Sequence, residues 1–269
     1  MSEAAFGDIW WNGHVCPAEV FSLPPDHEAL LYGLGCFTTT RTWFRGRTLW
    51  YWEEHRRRLA RTAEFLRLPM GAEDLPAESD LAPWLSAVAA GANVAVRINL
   101  AARPSGHRDI WAVARPMPDD KPMRLTRAAS PIATDDRFAN KKTFHYGARA
   151  LAHRAAVERG FETALLLDAQ GNVLEAAHGN FFARFSDGWA TPPLGGGVLD
   201  GIIRAELLQN FPIRERPIPY ASLGEAQEAC LTNSVRGVAP IVQIDGWSYP
   251  VTLANDTWNA VLAPLPASF

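Results

Sequence analysis

Residues 115 to 124 read RPMPDDKPMR, three prolines and five charged side chains in ten positions. Proline fixes its own φ and donates no backbone hydrogen bond, so such a stretch continues neither a helix nor a central strand. In a chain of 269 residues, longer than a usual single domain, it reads as an interdomain linker. This reading gives an N-terminal lobe over 1–114, the linker over 115–124, and a C-terminal lobe over 125–269.

The patterns on either side mix strand and helix. Short strand pieces at Ile9–Trp11 and around Val15 open the chain, and CFTTTRTWFRGRTLWYW is β-branched and aromatic with a hairpin turn at Arg45-Gly46. EEHRRRLARTAEFLRL carries Leu59, Ala63 and Leu66 at helical spacing and stops at Pro69. A helix around Leu81–Ala90 precedes NVAVRINLAARP, in which Val94, Val96, Ile98 and Leu100 alternate as in a strand. Beyond the linker, MRLTRAAS predicts a strand and Tyr146–Arg159 a helix closed by Gly160. TALLLD predicts a buried strand, and NVLEA with NFFARFSDGWATP a hairpin region bending at Asp187-Gly188. DGIIRAELLQNF predicts a helix after the glycines 195–197. EACLTN and IVQIDG predict strands, joined by a loop SVRGVAP. Strict βαβ alternation is missing, so the fold class expected is α+β in two lobes.

Composition narrows the function classes. A formal net charge of −3 offers no field for nucleic acid or an anionic membrane. Cys16, Cys36 and Cys230 stand far apart with no paired spacing, which predicts no disulfide framework, no zinc site and a cytoplasmic location. MSEAAFGDIWWNG lacks the basic and apolar regions of a signal peptide, and no apolar run reaches membrane-spanning length. The seven histidines form no metal-ligand motif, and no P-loop, nucleophile elbow or dinucleotide fingerprint occurs.

Four separated features carry chemistry if they converge. Lys141 and Lys142 open a helix. Glu175 ends a mostly apolar strand. LDGIIR supplies backbone N–H groups at a helix N-terminus, and LTNSVRG supplies hydroxyls and amides at a strand end. An amine, a carboxylate and two phosphate cups are what pyridoxal 5′-phosphate requires: a covalent anchor, a partner for the pyridine nitrogen, and donors for the phosphate. Each feature alone reads equally as a surface turn, a solvent-face acid or an ordinary helix start. On the residues alone, either lysine could be the anchor.

The stretches YGLGCFTTTR, EEHRRRL, KTFHYGARALAHRAAVERGFETALLLDAQGNVLEAAHGNFF, TPPLGGGVLDGIIR and LTNSVRGVAPIVQIDG occur in one order from about residue 8 to about residue 250. In that order the chain resembles the fold-type IV pyridoxal-phosphate enzymes, which include branched-chain and D-amino-acid aminotransferases and aminodeoxychorismate lyase. The resemblance implies the two-lobed D-amino-acid aminotransferase-like architecture, with the lysine in the C-terminal lobe. It implies a homodimer whose site lies at the lobe boundary and is completed by the neighbouring chain. It makes Lys142 the Schiff-base lysine and leaves Lys141 solvated. Glu175 matches the carboxylate at the pyridine nitrogen, and Arg58 the phosphate-binding arginine. Ile202 and Ile203 match the backbone phosphate cup, and Ser234, beside Asn233, the nearby hydroxyl donor. Asn180 matches a structural asparagine. Arg56 and Arg57 stay on a solvated face.

Within the family, GCFTT is most similar to aminodeoxychorismate lyase, because aminotransferases usually carry an acid where this chain has Thr38. The resemblance implies an anionic amino substrate with two carboxylates, held by Arg97 and Arg103. Tyr32 and Thr38 would line its pocket, with Thr38 a catalytic proton donor or positioner. The implied products are 4-aminobenzoate and pyruvate, a step toward folate. A branched-chain or D-amino-acid aminotransferase is the alternative, and a non-catalytic cofactor-binding protein a third. Leu34, His145 and His178 depart from the family pattern and bear on the substrate.

Overall fold

The computed structural model describes residues 7–103, 105–251 and 254–263, and its chain divides into two compact units. The first comprises the described residues up to Pro118 together with Lys142–His145; the second comprises Asp119–Lys141 and Tyr146–Ala263. The Lys142 segment, expected in the C-terminal lobe, thus clusters with the N-terminal unit.

In the first unit the chain runs β1 (Ile9–Trp11), β2 (His14–Cys16), α1 (Glu28–Leu31), β3 (Gly35–Trp43) and β4 (Thr48–Leu49). It continues as α2 (Trp52–Phe65), α3 (Glu78–Ala89), β5 (Val94–Ala102) and β6 (Arg108–Pro116). The six strands form one sheet in the order β2-β1-β6-β5-β3-β4, all neighbours antiparallel. Its first hairpin turns at Asn12-Gly13, both at positive φ, the conformation that matches strand twist in a two-residue turn. Val94, Val96, Ile98 and Leu100, the alternating residues of β5, are buried with Leu59 and Ala63 of α2 and Leu81, Trp84 and Leu85 of α3. Each such large apolar side chain contributes about 1.5–3 kcal/mol of hydrophobic stabilisation. The long strand β6 was masked in the sequence by its own end, since Arg115-Pro116 belongs to the proline-rich stretch.

The lysine segment is stitched to β3. The Phe37 N–H donates to the Lys142 carbonyl at 3.0 Å, the Phe144 N–H to the Gly35 carbonyl at 2.8 Å, and Thr143 bridges Cys36. Gly35 is required there by space: a Cβ would lie 2.3 Å from the Phe144 ring. These contacts are with residues remote in sequence and leave no local pattern that would reveal them.

In the second unit the chain runs β7 (Met123–Arg127), α4 (Gly147–Glu158), β8 (Thr163–Leu167), β9 (Val173–Ala176), β10 (Gly179–Phe185) and β11 (Gly188–Thr191). Then come α5 (Ile202–Asn210), β12 (Ile213–Glu215), β13 (Glu228–Asn233), β14 (Gly237–Ile244), β15 (Trp247–Ser248) and α6 (Ala254–Leu262). The main path is β12-β11-β10-β13-β14-β7-β8-β9, and β9 pairs back onto β10. That last pairing closes six strands into a barrel filled by Leu125, Leu165, Phe181, Ala183, Leu231 and Ile241. The stretch GVAP, expected as loop, is the start of β14: Gly237 pairs with Asn233 and Pro240 with Cys230. The pairing of β14 with β7 begins only at Ile241, so the missing N–H of Pro240 costs the sheet no bond there.

A register shift in β8–β9 aims the acid of this unit. Leu165 pairs with Ala176 and Leu167 with Val173, all four inside the barrel core, while Leu174 is skipped. Between them Leu166 faces Glu175, and Leu166 packs outward with Ala152 and Ala156 of α4. The bulge therefore turns Glu175 out of the barrel, toward the α4 side, as bulges do near functional residues.

Candidate active site

The first unit gathers Lys142, Thr38, His55, Arg58 and Arg97 around the N-terminal half of β3. On α2 the buried stripe is Trp52, His55, Arg58, Leu59, Thr62 and Ala63, so Arg58 lies inward. Its neighbours Arg56 and Arg57 reach back to Glu53 and Glu54 at 3.0 and 3.3 Å. The Arg58 guanidinium donates to the Thr38 hydroxyl oxygen at 2.9 Å, and Thr38 also bonds His55 Nδ1. An arginine only donates, so the Thr38 oxygen accepts from Arg58, and the same Arg58 Nη2 lies 3.5 Å from His55 Nδ1. Burial, followed by the charges of Arg58 and Lys142, pushes the imidazole well below its ordinary range.

This corrects the reading of Thr38. It is fully buried beneath Arg58, so it orients the guanidinium instead of lining a substrate pocket or donating a proton there. Lys142 Nζ lies 4.7 Å from the Phe37 ring centroid, and the Arg97 guanidinium carbon lies 3.6 Å from it. Arg97 Nε donates to Asn99 Oδ1 at 2.7 Å, which keeps the guanidinium against the ring.

Arg103 is also corrected. Its fork closes on Asp109, Nε to Oδ2 at 2.7 Å and Nη2 to Oδ1 at 3.0 Å, and Asp109 is fully buried with His27 and Trp11 beside it. Burial raises the Asp109 carboxyl, but Arg103 outweighs it and holds the group below its usual range. Arg103 neutralises a structural acid, a use its place in the sequence did not reveal. Tyr32 ends α1 with 61% of its surface exposed.

The second unit assembles the acid and the anion cups. Glu175 Oε2 accepts from Asn180 Nδ2 at 2.9 Å and from the Leu199 N–H at 3.2 Å. Asn180 Nδ2 also donates to the Leu199 carbonyl at 2.9 Å, so the two side chains clamp the loop that leads into α5. Only glycine fits at the head of that helix: a Cβ on Gly201 would sit 1.9 Å from Asn180 Oδ1. With Gly201 as N-cap and no side chain capping α5, the amides of Ile202 and Ile203 begin the helix as an anion cup. Ser234 is buried in the β13–β14 turn.

Asn233 builds that turn. Its Oδ1 accepts from the Val235 and Arg236 N–H groups at 2.9 and 2.8 Å, and its Nδ2 donates to the His178 carbonyl. The carboxamide is thus occupied by loop geometry, a correction to its assignment as a cofactor contact. The residue that sequence reasoning missed is Arg149. It is buried on the stripe that α4 presents with Ala152 and Ala156, and it forms an ion pair with Glu175. Its i, i+3, i+7 place on an otherwise apolar stripe was the available signal.

Each unit carries groups of the kinds a phosphorylated pyridine aldehyde needs: an amine and an inward guanidinium in the first, an uncapped helix start and an oriented carboxylate in the second. Comparison with known proteins identifies the family. The chain is 28% identical over 253 residues to a probable branched-chain-amino-acid aminotransferase of Thermotoga maritima, covering 90% of this chain and 88% of the relative. It is 26% identical to an aminodeoxychorismate lyase of Bacillus subtilis over the same shares. Its fold superposes on a branched-chain aminotransferase from Thermoproteus uzoniensis with a TM-score of 0.83, at 22% identity and 96% and 93% coverage of the two chains. An aminotransferase from Brucella abortus bound to the co-factor PLP gives a TM-score of 0.82 at 23% identity, over 94% and 96%. The amino-transferase class IV family pattern runs from residue 35 at the start of β3 to residue 244 at the end of β14, through most of the elements described above, and the chain belongs to that family.

Proposed function

We propose that this protein is a pyridoxal 5′-phosphate-dependent 4-amino-4-deoxychorismate lyase, forming 4-aminobenzoate and releasing pyruvate. The observation that carries the reading is the chemistry around Phe37. Lys142 and Arg97 both lie against its ring. An anionic substrate with two carboxylates gains from such a pair of cations.

The cofactor, when bound, supplies an electron sink in its protonated pyridine ring. Lys142 would anchor it, and its Nζ would serve as the base for the proton on the substrate carbon bearing the amine. Glu175, held by Asn180 and the Leu199 N–H, would partner the ring nitrogen. Arg58, the amides of Ile202 and Ile203, and the Ser234 hydroxyl would serve the phosphate. Arg97 orients a substrate carboxylate. The active form is proposed to be a homodimer.

An aminotransferase is the second reading, supported by the branched-chain enzyme of Thermotoga maritima at 28% identity over 90% of the chain. A paired assay separates the two. 4-Aminobenzoate formed from aminodeoxychorismate, with no turnover of branched-chain or D-amino acids plus 2-oxoglutarate, supports the lyase. The reverse pattern sinks it.

The contact between Thr38 and Arg58 yields a further expectation. Thr38→Val removes an acceptor from a buried guanidinium, a loss of about 1–3 kcal/mol, or roughly tenfold in affinity for pyridoxal phosphate. Spectroscopic titration of cofactor into the variant measures it. A raised substrate KM with unchanged cofactor affinity would return Thr38 to the substrate.

A further inference from the structure

Glu175 meets a full positive charge within its own unit. Its Oε1 pairs with Arg149 Nη1, while Oε2 takes the Asn180 and Leu199 donors. The Arg149 and Glu175 side chains retain only 9% and 4% of their surface. Arg149 is pinned in turn: Nη2 donates to the Ala139 carbonyl at 2.8 Å and to the Gly197 carbonyl at 2.7 Å. One guanidinium thus ties the acid to the segment before Lys142 and to the glycine loop before α5. Burial works against the Arg149 charge, but Glu175 and Tyr146 outweigh it and hold the guanidinium above its ordinary range.

Neutral groups face Glu175 as well. From β8 it meets Leu166 and from β10 Asn180; from the loop it meets the Leu199 amide. From the head of α4, the Tyr146 ring lies 5.7 Å from the Arg149 guanidinium carbon. A carboxylate buried among neutral donors takes up a proton to escape full desolvation, whereas one beside a guanidinium stays ionised.

We propose that Arg149 is a positioning residue that holds Glu175 as an aimed anion before the cofactor arrives. This rests on the reading of Glu175 as partner of the pyridine nitrogen. It assigns Arg149 no contact with the reacting atoms.

The consequence is a proton count. In the bound state the carboxylate and the ring nitrogen share one proton, whichever of them carries it. In the wild-type protein Glu175 brings none to the encounter. Without Arg149 the acid is already protonated, so binding must release about one proton more, or take up about one fewer, than in the wild type.

The test uses pyridoxine 5′-phosphate, which has the pyridine ring and phosphate but no aldehyde, so condensation with Lys142 adds no protons. Calorimetric titration near neutral pH, in two buffers of different ionisation heat, gives the protons exchanged per molecule bound. Arg149→Met is expected to differ from wild type by about one proton, and Arg149→Lys to restore the wild-type count. Equal counts in wild type and Arg149→Met, with only weaker binding, would overturn the proposal and leave Arg149 a packing residue. If the wild type binds neither pyridoxine 5′-phosphate nor pyridoxal phosphate, the cofactor reading itself fails and the proposal falls with it. Should Arg149→Met fail to fold, the infrared carboxyl band of Glu175 in the unliganded wild type, identified by its loss in Glu175→Gln, decides. A carboxylate band supports the proposal and a protonated carboxyl band overturns it.

Discussion

Lys142→Ala is expected to eliminate the visible absorption band of the purified protein and to lower turnover by at least about a thousandfold. Lys141→Ala is expected to keep both. The adjacent lysines have different anchors. The Lys142 carbonyl accepts from the Phe37 N–H, which draws its side chain over the Phe37 ring beside Arg58 and His55. The Lys141 N–H closes a turn on the Phe138 carbonyl within the other unit. The backbone bonds that hold the 142–144 segment on β3 do not involve the Lys142 side chain. An alanine there therefore leaves the segment in place, and a loss of colour reports chemistry instead of folding. Borohydride treatment of the wild type should fix the cofactor to Lys142, as peptide mapping would read. Attachment at Lys141, or retained colour in Lys142→Ala, would remove the foundation of the proposed function.

The division between what the sequence displays and what it hides follows from the range of the interactions. Helix α2 was legible because Leu59, Ala63 and their neighbours repeat with the period of a helix, and that same period places Arg58 inward. Strand β5 was legible from its alternation. The pairing of the 142–144 segment with β3 was not, since backbone bonds between remote segments carry no local signature. Neither was the fate of individual polar groups. Arg97 and Arg103 look alike in VRINLAARP, yet one lies on Phe37 and the other closes on Asp109 across a hairpin. Thr38 and Asn233 carry residue types suited to a site, but their side chains are used to orient Arg58 and to build a turn. Family order proposes residues for the site; geometry says which of them touch one another.

Glu175 and Arg149 give the second large effect, and it concerns stability. In the protein without cofactor, Glu175→Gln leaves the Arg149 guanidinium buried without its counter-charge. The cost expected is about 3–5 kcal/mol, the range for breaking a buried pair by removing one partner. Arg149→Met strands the carboxylate instead, although protonation of the acid softens that loss. The double variant Glu175→Gln with Arg149→Met contains neither stranded charge, and its destabilisation should fall short of the sum of the singles by roughly 2 kcal/mol. Asn180 and the Leu199 N–H, which donate to Glu175 in the wild type, remain to satisfy the carboxamide oxygen of the substituted side chain. The loop before α5 therefore keeps its clamp in the double variant. Urea unfolding of the four proteins measures the coupling. Additive losses would mean that the two charges do not act as a pair. A coupling of the expected size would mean that the acid assigned to the cofactor also holds its own unit together through Arg149, so that selection on the site and selection on the fold act on one contact.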